Sequence, residues 1–367
     1  MEVNAKIIGI EYKINLSKEL EKIDFVDFDI NHCPASCLIT DKNKFFAISK
    51  WVSPKRTRTY PYERVYNTLS FAKKITVIPI VKDEGFEGDR DFIQWDTVSL
   101  MSLLDVYVIL AYYNSAEKHK TRKHKITNQK FDNDFIINKI NEIENYHSSA
   151  LHWNLKEIND NLPTLIDNVK ISYSKIEKQL DTKLHSFVGL DNFKTKIQSE
   201  VNAFMDFSRQ KAQDAQTREI QTNQPKESLQ TLTKAKITIT NYLGGKYFLT
   251  VDEVEINKNL ISLIESKHSK SSLLPGLLDI KDGLIKMILF SNLKEITLNN
   301  KIYSGNPILQ LTSSKLESSI STNSSKAEIE SFVEKNKLNL KHQQLIDVLF
   351  SEARKNQFTV TILGVGN

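Results

Sequence analysis

The spacing of apolar residues changes twice along the chain, and these changes limit the folds that it can adopt. Short strand-like runs such as KITVIPIVK and VYVILAYY alternate with helical stretches in the first part. In the middle part apolar residues recur every three to four positions, as in amphipathic helices, and strand-like runs return after a polar, proline-containing connection. The pattern predicts an α/β region (1–128), a helical region (129–216) and a second α/β region (217–367).

Length and composition predict a soluble, folded protein. The 367 residues exceed one average hydrophobic core, which favours two domains, and the 40% hydrophobic content excludes a disordered chain. No apolar run approaches the roughly 18 residues needed to cross a bilayer, and the start MEVNAKIIGIEYKIN lacks a signal-peptide pattern. We therefore expect a cytoplasmic protein with no membrane partner. Cys33 and Cys37 are too few for a disulfide framework and are predicted to be free thiols.

Two clusters of basic residues are candidate contacts for a nucleic acid. The segment 53–66, SPKRTRTYPYERVY, mixes cations with tyrosines, a combination that can neutralise phosphates and pack against sugars or bases. The segment 118–125, KHKTRKHK, follows an apolar strand. The plainer interpretations are a turn into a helix for the first and a solvated connection for the second. The candidate DNA-binding residues are Lys55, Arg56, Arg58, Tyr60, Arg64, Lys118, Lys120, Arg122, Lys123 and Lys125.

The second α/β region carries charged residues at the end of an apolar strand. The runs KYFLTVDEVEI and NLISLIESK flank a turn signal, NKN at 257–259, which predicts an antiparallel hairpin. Side chains alternate along a strand, so Glu265 and Lys267 share the face of the apolar residues before them. A three-residue turn sets Val251 opposite Glu265, and a turn shifted by one residue sets Asp252 there. An acid therefore lies close to Glu265 in either register.

Two carboxylates on adjacent strands, with a lysine beside them, suit metal-dependent hydrolysis of a phosphodiester. Carboxylates hold Mg²⁺, which prefers oxygen ligands, polarises the phosphate and lowers the pKa of an attacking water. The compact charge of a lysine can orient that water or stabilise charge on the phosphate. The predicted catalytic residues are Asp252, Glu265 and Lys267. The predicted metal ligands are Asp252 and Glu265, and the further candidates are Glu253, Glu255 and Glu200.

These residues resemble the PD-(D/E)xK nuclease superfamily and, within it, the type II restriction endonucleases. Asp252 is similar to the family's first acid, although Val251 stands where the family has a proline, and Glu265-Ser266-Lys267 is similar to its (D/E)xK triplet. The helix DIKDGLIKMILFSNL is similar to the one that packs behind the family's central sheet. The resemblance covers roughly residues 190–300. It implies that 217–367 is a catalytic domain with a mixed sheet flanked by helices, whose helical layer starts near residue 185.

The resemblance also implies an activity and its partners. We expect a Mg²⁺-dependent endonuclease that hydrolyses double-stranded DNA directly, as the restriction component of a restriction–modification system, with 1–128 helping to select the DNA. One active site per chain favours a homodimer on a palindromic sequence. Two alternatives stay open: a repair or mobile-element nuclease that reads DNA structure, and a non-catalytic DNA-binding module on a nuclease fold.

Glu-x-Lys alone is a weak signal, because charged residues make up 26% of the chain. Comparable triplets begin at Glu11, Asp181 and Asp279. Only Glu265 combines a strand, an acid on a preceding strand and a following helix. The plain alternative is a surface hairpin whose charges are solvated. Glu200 lies in the helical stretch KIQSEVNAFM, whose pattern favours a solvated position over a metal ligand.

Overall fold

The chain, in a computed structural model, divides into two compact units. The inner unit is Glu19–Lys211, and the terminal unit joins Met1–Lys18 to Ala212–Asn367. The structure describes residues 1–41, 44–55, 61–199, 235–242 and 245–364. Within these described ranges no helix has the length and apolar character needed to span a membrane.

Strands and helices are numbered along the chain. The strands before residue 132 are β1 (Glu2–Ile7), β2 (Lys22–Asp24), β3 (Ser36–Asp41), β4 (Lys44–Lys50), β5 (Lys74–Pro79), β6 (Val81–Asp83), β7 (Arg90–Phe92), β8 (Tyr107–Ala111), β9 (Tyr113–Lys118) and β10 (Ile126–Phe131). The later strands are β11 (Ala235–Asn241), β12 (Lys246–Val251), β13 (Glu253–Asn257), β14 (Leu260–Ser269), β15 (Leu293–Leu298), β16 (Lys301–Ser313), β17 (Ser319–Ser321) and β18 (Thr359–Gly364). The described helices of the inner unit are α1 (Pro61–Tyr66), α2 (Trp95–Leu103), α3 (Asn133–Glu144), α4 (Ala150–Lys156), α5 (Leu162–Leu180) and α6 (Val188–Ser199), with a 3-10 turn at Phe25–Asp27 and a π-helical turn at Glu157–Asn161. The described helices of the terminal unit are α7 (Leu277–Ser291), α8 (Lys326–Lys335) and α9 (Leu340–Lys355).

The inner unit is built on a mixed sheet with the strand order β2-β3-β4-β5-β8. Strands β4, β5 and β8 run parallel, and all residues of β5 and β8 are buried. Continuous apolar runs are typical of parallel strands that are covered on both faces. Two antiparallel pairs, β6–β7 and β9–β10, lie outside this sheet. The predicted mixed α/β class is confirmed for this part of the chain.

The helices after residue 131 share a core with the strands before it. Ile136 and Ile140 of α3 lie in the same buried cluster as Ile109 of β8, and Trp153 of α4 lies there as well. The indole N–H of Trp153 donates a hydrogen bond to the carbonyl of Val108 at 2.8 Å. The described part of the predicted helical region, up to residue 199, therefore belongs to the inner unit. Helices α3 and α4 pack against β8 of the inner sheet and α5 packs against β9, so their apolar faces are buried against the strands.

The terminal unit contains a larger mixed sheet that includes the start of the chain. Its strand order is β12-β11-β1-β15-β16-β14-β13, and β18 pairs with β16 and β17. Strand β1 runs parallel to β11 and buries every second residue, Val3, Ala5 and Ile7. The predicted 1–128 region therefore loses its first residues, 1–18, to the terminal unit. The alternating pattern of β1 predicts a strand, but its distant partner β11 cannot be read from that pattern.

The predicted hairpin of the terminal unit is confirmed. Strands β13 and β14 pair antiparallel across a two-residue turn, in which Lys258 has a φ of 56°. The run KYFLTVDEVEI, predicted as one strand, is interrupted at Asp252, because β12 pairs with β11 whereas β13 pairs with β14. After the hairpin, α7 packs against β14 and β16, and β16 lies parallel to β14. A parallel neighbour requires such a crossover connection.

Candidate active site

Asp252 stands opposite Glu265 at the end of the hairpin. Glu253 pairs with Ile264, so the same register places the preceding residue, Asp252, across from Glu265. The backbone N–H of Ser266 donates a hydrogen bond to Oδ2 of Asp252 at 2.8 Å. Of the two registers considered from the sequence, the structure adopts the one with the shorter turn. That register brings the Asp252 carboxyl to the (D/E)xK-like triplet.

Glu253 and Glu255 lie on the other face of the hairpin. Glu255 pairs with Ser262, and paired residues share a face, whereas neighbours along a strand alternate. The Glu265 face therefore receives Asp252 and neither of the two glutamates that follow it. Of these three candidate first acids, Asp252 alone shares the face of Glu265. Glu200, the remaining candidate ligand, lies outside the described residues.

Glu265 is the centre of a buried network of charges. Its side chain is 2% exposed; Oε1 lies 2.9 Å from Nζ of Lys267, and Oε2 accepts a hydrogen bond from Nζ of Lys286 at 2.7 Å. Lys267 also donates to Oδ2 of Asp282 at 3.0 Å. Lys286 also donates to the carbonyl of Thr250 at 3.3 Å. Such pairing is needed because a buried charge without a partner is strongly unfavourable.

Helix α7 supplies the half of this network that the sequence did not reveal. Asp282 and Lys286 are four residues apart and so lie on one face of α7. Gly283 lies beside them, and a Cβ built there would be 2.7 Å from Cδ1 of Leu309 and 3.4 Å from Cε of Lys267. A glycine at this position therefore lets the helix approach β14 and β16 closely. The available sequence signal was an acid and a lysine at i,i+4 spacing within an apolar helix.

The charges of the network act on one another. Burial, and then the like charge of Glu265, raises the pKa of the Asp252 carboxyl to about 6. Burial opposes ionisation of Glu265, but the charges of Lys267 and Lys286 outweigh it, so the Glu265 pKa lies below its ordinary value. Burial likewise opposes the charge of Lys267, but Glu265 and Asp282 raise the Lys267 pKa well above its usual range. At neutral pH Glu265 and Lys267 are therefore both charged.

Asp252 and Glu265 form a donor set that fits a hard divalent cation. The two carboxylates repel each other, so a positive ion between them is stabilising, and Mg²⁺ commonly binds through one or two carboxylates while it keeps several waters. Across the part of the chain that the structure describes, no group of three or more His, Cys, Asp or Glu residues could hold a metal ion. A Mg²⁺ held by Asp252 and Glu265 would take its remaining ligands from water.

The structure describes only part of the first basic cluster, residues 53–66. Nζ of Lys55 lies 4.0 Å from Oδ1 of Asp91. Arg64, in α1, is half-buried, and its Nη1 donates to the carbonyl of Lys50 at 2.7 Å. Burial also lowers the pKa of Arg64. The guanidinium of Arg64 thus binds the protein's own backbone, which does not support its predicted contact with DNA. Outside the described residues lie Arg56, Arg58 and Tyr60.

The second basic cluster is an ordered loop between β9 and β10. The His119 backbone N–H donates to the carbonyl of Lys125 at 2.9 Å, and the hydroxyl of Thr182 donates to the carbonyl of Lys123 at 3.0 Å. Nζ of Lys125 lies 3.2 Å from Oε2 of Glu84, so this lysine is paired within the unit. The exposed cations of the cluster are Lys118, Lys120, Arg122 and Lys123. Of these four exposed residues, Lys118 donates to the carbonyl of Asp181 at 3.2 Å and Arg122 to the carbonyl of Glu87 at 3.4 Å.

A cleft of about 530 Å³ lies in the inner unit beside this loop, and several lysines line it. Lys50 donates to the carbonyls of Ile30 and Cys33 at 2.7 and 2.6 Å, and Lys125 pairs with Glu84. These cations are therefore engaged by the protein itself. The cations Lys118, Lys120, Arg122 and Lys123 of the neighbouring loop are more exposed to solvent than these lysines.

The remaining sequence candidates are two cysteines and three other (D/E)xK triplets. Cys33 and Cys37 are free and buried, as predicted. The competing triplets also lack the required setting: Glu11 follows β1 outside any strand, Asp181 follows the end of α5, and Asp279 lies in the first turn of α7. Of the four triplets, the one at Glu265 alone lies in a strand whose neighbour supplies an acid.

Comparison of the chain with protein-family models, curated proteins and solved structures found no match. The basis for a functional assignment is therefore the site itself. That site combines a half-buried aspartate opposite a buried glutamate, a lysine on the same strand as the glutamate, and an Asp–Lys pair from the helix behind them.

Proposed function

We propose that this protein is a Mg²⁺-dependent endonuclease that hydrolyses phosphodiester bonds of double-stranded DNA. The observation that carries the proposal is the meeting of Asp252, Glu265 and Lys267 on one face of the β13–β14 hairpin. The order of elements adds support, since the hairpin is followed by α7 and by a parallel strand. A helix behind the sheet at this point of the chain is what the sequence resemblance implies.

Each residue of the site has a distinct task in the proposed reaction. Asp252 and Glu265 would hold Mg²⁺, which, when bound, polarises the scissile phosphate and makes a nearby water more acidic. Lys267 remains protonated beside Glu265, so it can donate hydrogen bonds to the attacking water or to a phosphate oxygen. Asp282 fixes the Lys267 ammonium from the helix side. The attacking water displaces the leaving oxygen directly, without a covalent enzyme intermediate.

The proposed biological setting is a restriction system in the cytoplasm. Cleavage of both strands of a palindromic DNA by one site per chain is best served by a homodimer. The exposed cations of the β9–β10 loop provide a surface suited to phosphates, which supports double-stranded DNA as the substrate. A sequence-specific type II enzyme is the preferred form. Nucleases of repair or of mobile elements, and a non-catalytic DNA-binding module, are the competing assignments.

Incubation of the purified protein with plasmid DNA tests these assignments. We expect discrete fragments in Mg²⁺ and no cleavage in EDTA, because the carboxylate pair needs the cation to act on the phosphate. A smear of products would instead indicate a nuclease without sequence specificity. Intact plasmid with retarded mobility would indicate a binding module, and the proposed activity would then be wrong.

Removal of loop cations should weaken binding to all DNA sequences by a similar factor. We expect the variant Lys120→Gln/Lys123→Gln to reduce the slope of log affinity against log salt by roughly one unit per lost phosphate contact. Binding is measured on cognate and noncognate duplexes across a salt series, with Ca²⁺ in place of Mg²⁺ to limit cleavage. A loss confined to the cognate duplex would show instead that the loop reads bases.

The matched control removes two exposed lysines elsewhere in the inner unit. Lys22, in β2, and Lys156, at the end of α4, are both exposed. The variant Lys22→Gln/Lys156→Gln has the same net charge as the loop variant, so it reports any effect of total charge alone. Equal salt slopes for the two variants would remove the β9–β10 loop from the DNA-binding surface.

A further inference from the structure

Lys286 places a positive charge directly on a carboxylate of the proposed metal site. Its Nζ lies 2.7 Å from Oε2 of Glu265, and the Lys286 side chain is only 13% exposed. The same ammonium donates to the carbonyl of Thr250 at the end of β12. Lys286 belongs neither to the hairpin nor to the (D/E)xK-like triplet, and it reaches Glu265 from α7.

Helix α7 contacts both charges of the triplet from one face. Asp282 pairs with Lys267, and Lys286, one turn later, pairs with Glu265. The two contacts have opposite sign, so a slip of the helix along the sheet would break both of them. The close approach at Gly283, between these two residues, holds the helix at the distance that the pairs require. The position of the Lys286 charge is thus fixed by the fold.

We propose that Lys286 is a built-in counter-ion of Glu265 that keeps divalent-metal affinity low until a DNA phosphate enters the site. Lys286 acts through Glu265 and is therefore a positioning residue. The inference rests on the proposed metal-dependent activity and adds a property to it, namely that metal and DNA bind cooperatively.

The net charge of the site explains why metal and DNA should bind cooperatively. Asp282 and Lys267 neutralise each other, so among these five described side chains Asp252, Glu265 and Lys286 contribute a net charge of minus one when all are ionised. A divalent cation changes this to plus one, and a buried net charge is unfavourable. One phosphate of the DNA then restores neutrality. Metal and phosphate should therefore each increase the affinity of the site for the other.

Calorimetric titration of Ca²⁺ into the DNA-free protein tests the inference without any measurement of activity. We expect Lys286→Met to bind Ca²⁺ about tenfold more tightly than the unaltered protein, since a like charge close to the ion is removed while the aliphatic stem remains. Lys286→Arg, which keeps the charge, should bind Ca²⁺ as the unaltered protein does. Addition of duplex DNA should increase Ca²⁺ affinity less in Lys286→Met than in the unaltered protein. A role in packing alone does not produce this difference between Met and Arg.

Two controls separate the possible failures. Lys270→Met removes an exposed lysine close in sequence to the site and should change Ca²⁺ affinity less than about twofold, because solvent screens its charge. Glu265→Gln should lose Ca²⁺ binding. If Glu265→Gln loses Ca²⁺ binding but Lys286→Met binds Ca²⁺ no more tightly than the unaltered protein, the counter-ion role of Lys286 is wrong. The proposed nuclease then still stands. If Glu265→Gln and the unaltered protein bind Ca²⁺ equally, the proposed metal site is wrong, and the Lys286 inference is overturned with it.

Discussion

The variants Glu265→Gln and Lys267→Met should each reduce DNA cleavage by at least about 100-fold, the usual scale for loss of a group that stabilises developing charge. Glu265→Gln removes a charged ligand of the proposed Mg²⁺ while it keeps the size of the side chain. Lys267→Met removes the donor beside the attacking water. Single-turnover cleavage of a plasmid, with enzyme in excess, measures both effects directly.

DNA affinity distinguishes lost chemistry from lost structure in these variants. Glu265 and Lys267 lie in the terminal unit, and the proposed phosphate-binding loop lies in the inner unit, so DNA binding measured in EDTA should fall much less than cleavage. Glu265 is buried and Lys267 is largely buried, and both are paired, so each variant leaves a charged partner without its counter-ion, and thermal unfolding must be compared as well. Normal cleavage by two correctly folded variants would exclude this hairpin as the catalytic site.

The hairpin could be predicted because its signals are local. Alternating side chains fix the shared face of Glu265 and Lys267, and the 257–259 turn fixes the pairing of the two strands. The sequence did not decide whether Val251 or Asp252 lies opposite Glu265, because this register depends on whether the turn has three or two residues. A left-handed conformation at Lys258, which nothing in a lysine side chain favours, accompanies the shorter turn.

Features that depend on distant contacts could not be predicted in the same way. The interruption at Asp252 arises because β12 and β13 have different partners, and β1 joins β11 across most of the chain. Lys286 reaches the site because α7 packs closely against β14 and β16, and the absence of a side chain at Gly283 permits this close packing. Helix periodicity predicts which face of α7 is apolar, but it does not say which strand residue lies beneath each position.

The variant Asp252→Asn should be inactive and yet more stable than the unaltered protein at pH 8. Loss of the first acid removes one of the two proposed Mg²⁺ ligands, so we expect at least about 100-fold slower cleavage. Asparagine still offers an oxygen to the N–H of Ser266, and it ends the repulsion between Asp252 and Glu265. Glu253→Gln and Glu255→Gln, which alter the other face of the hairpin, are the matched controls and should cleave at nearly the normal rate.

The gain in stability should depend on pH with a definite sign. Burial raises the pKa of Asp252 in the folded protein to about 6 from an ordinary value of 3.8, so ionisation of this group opposes folding above that range. The advantage of Asp252→Asn should therefore be full above pH 6, decline as the pH falls towards 4, and vanish where aspartate is protonated in both states; its size is roughly 1–3 kcal/mol. Urea unfolding in EDTA at pH 8 and at pH 4 measures this difference without metal. Equal stability of the two proteins at pH 8 would mean that Asp252 is not held against Glu265, and activity lost in Glu255→Gln instead would reassign the first acid.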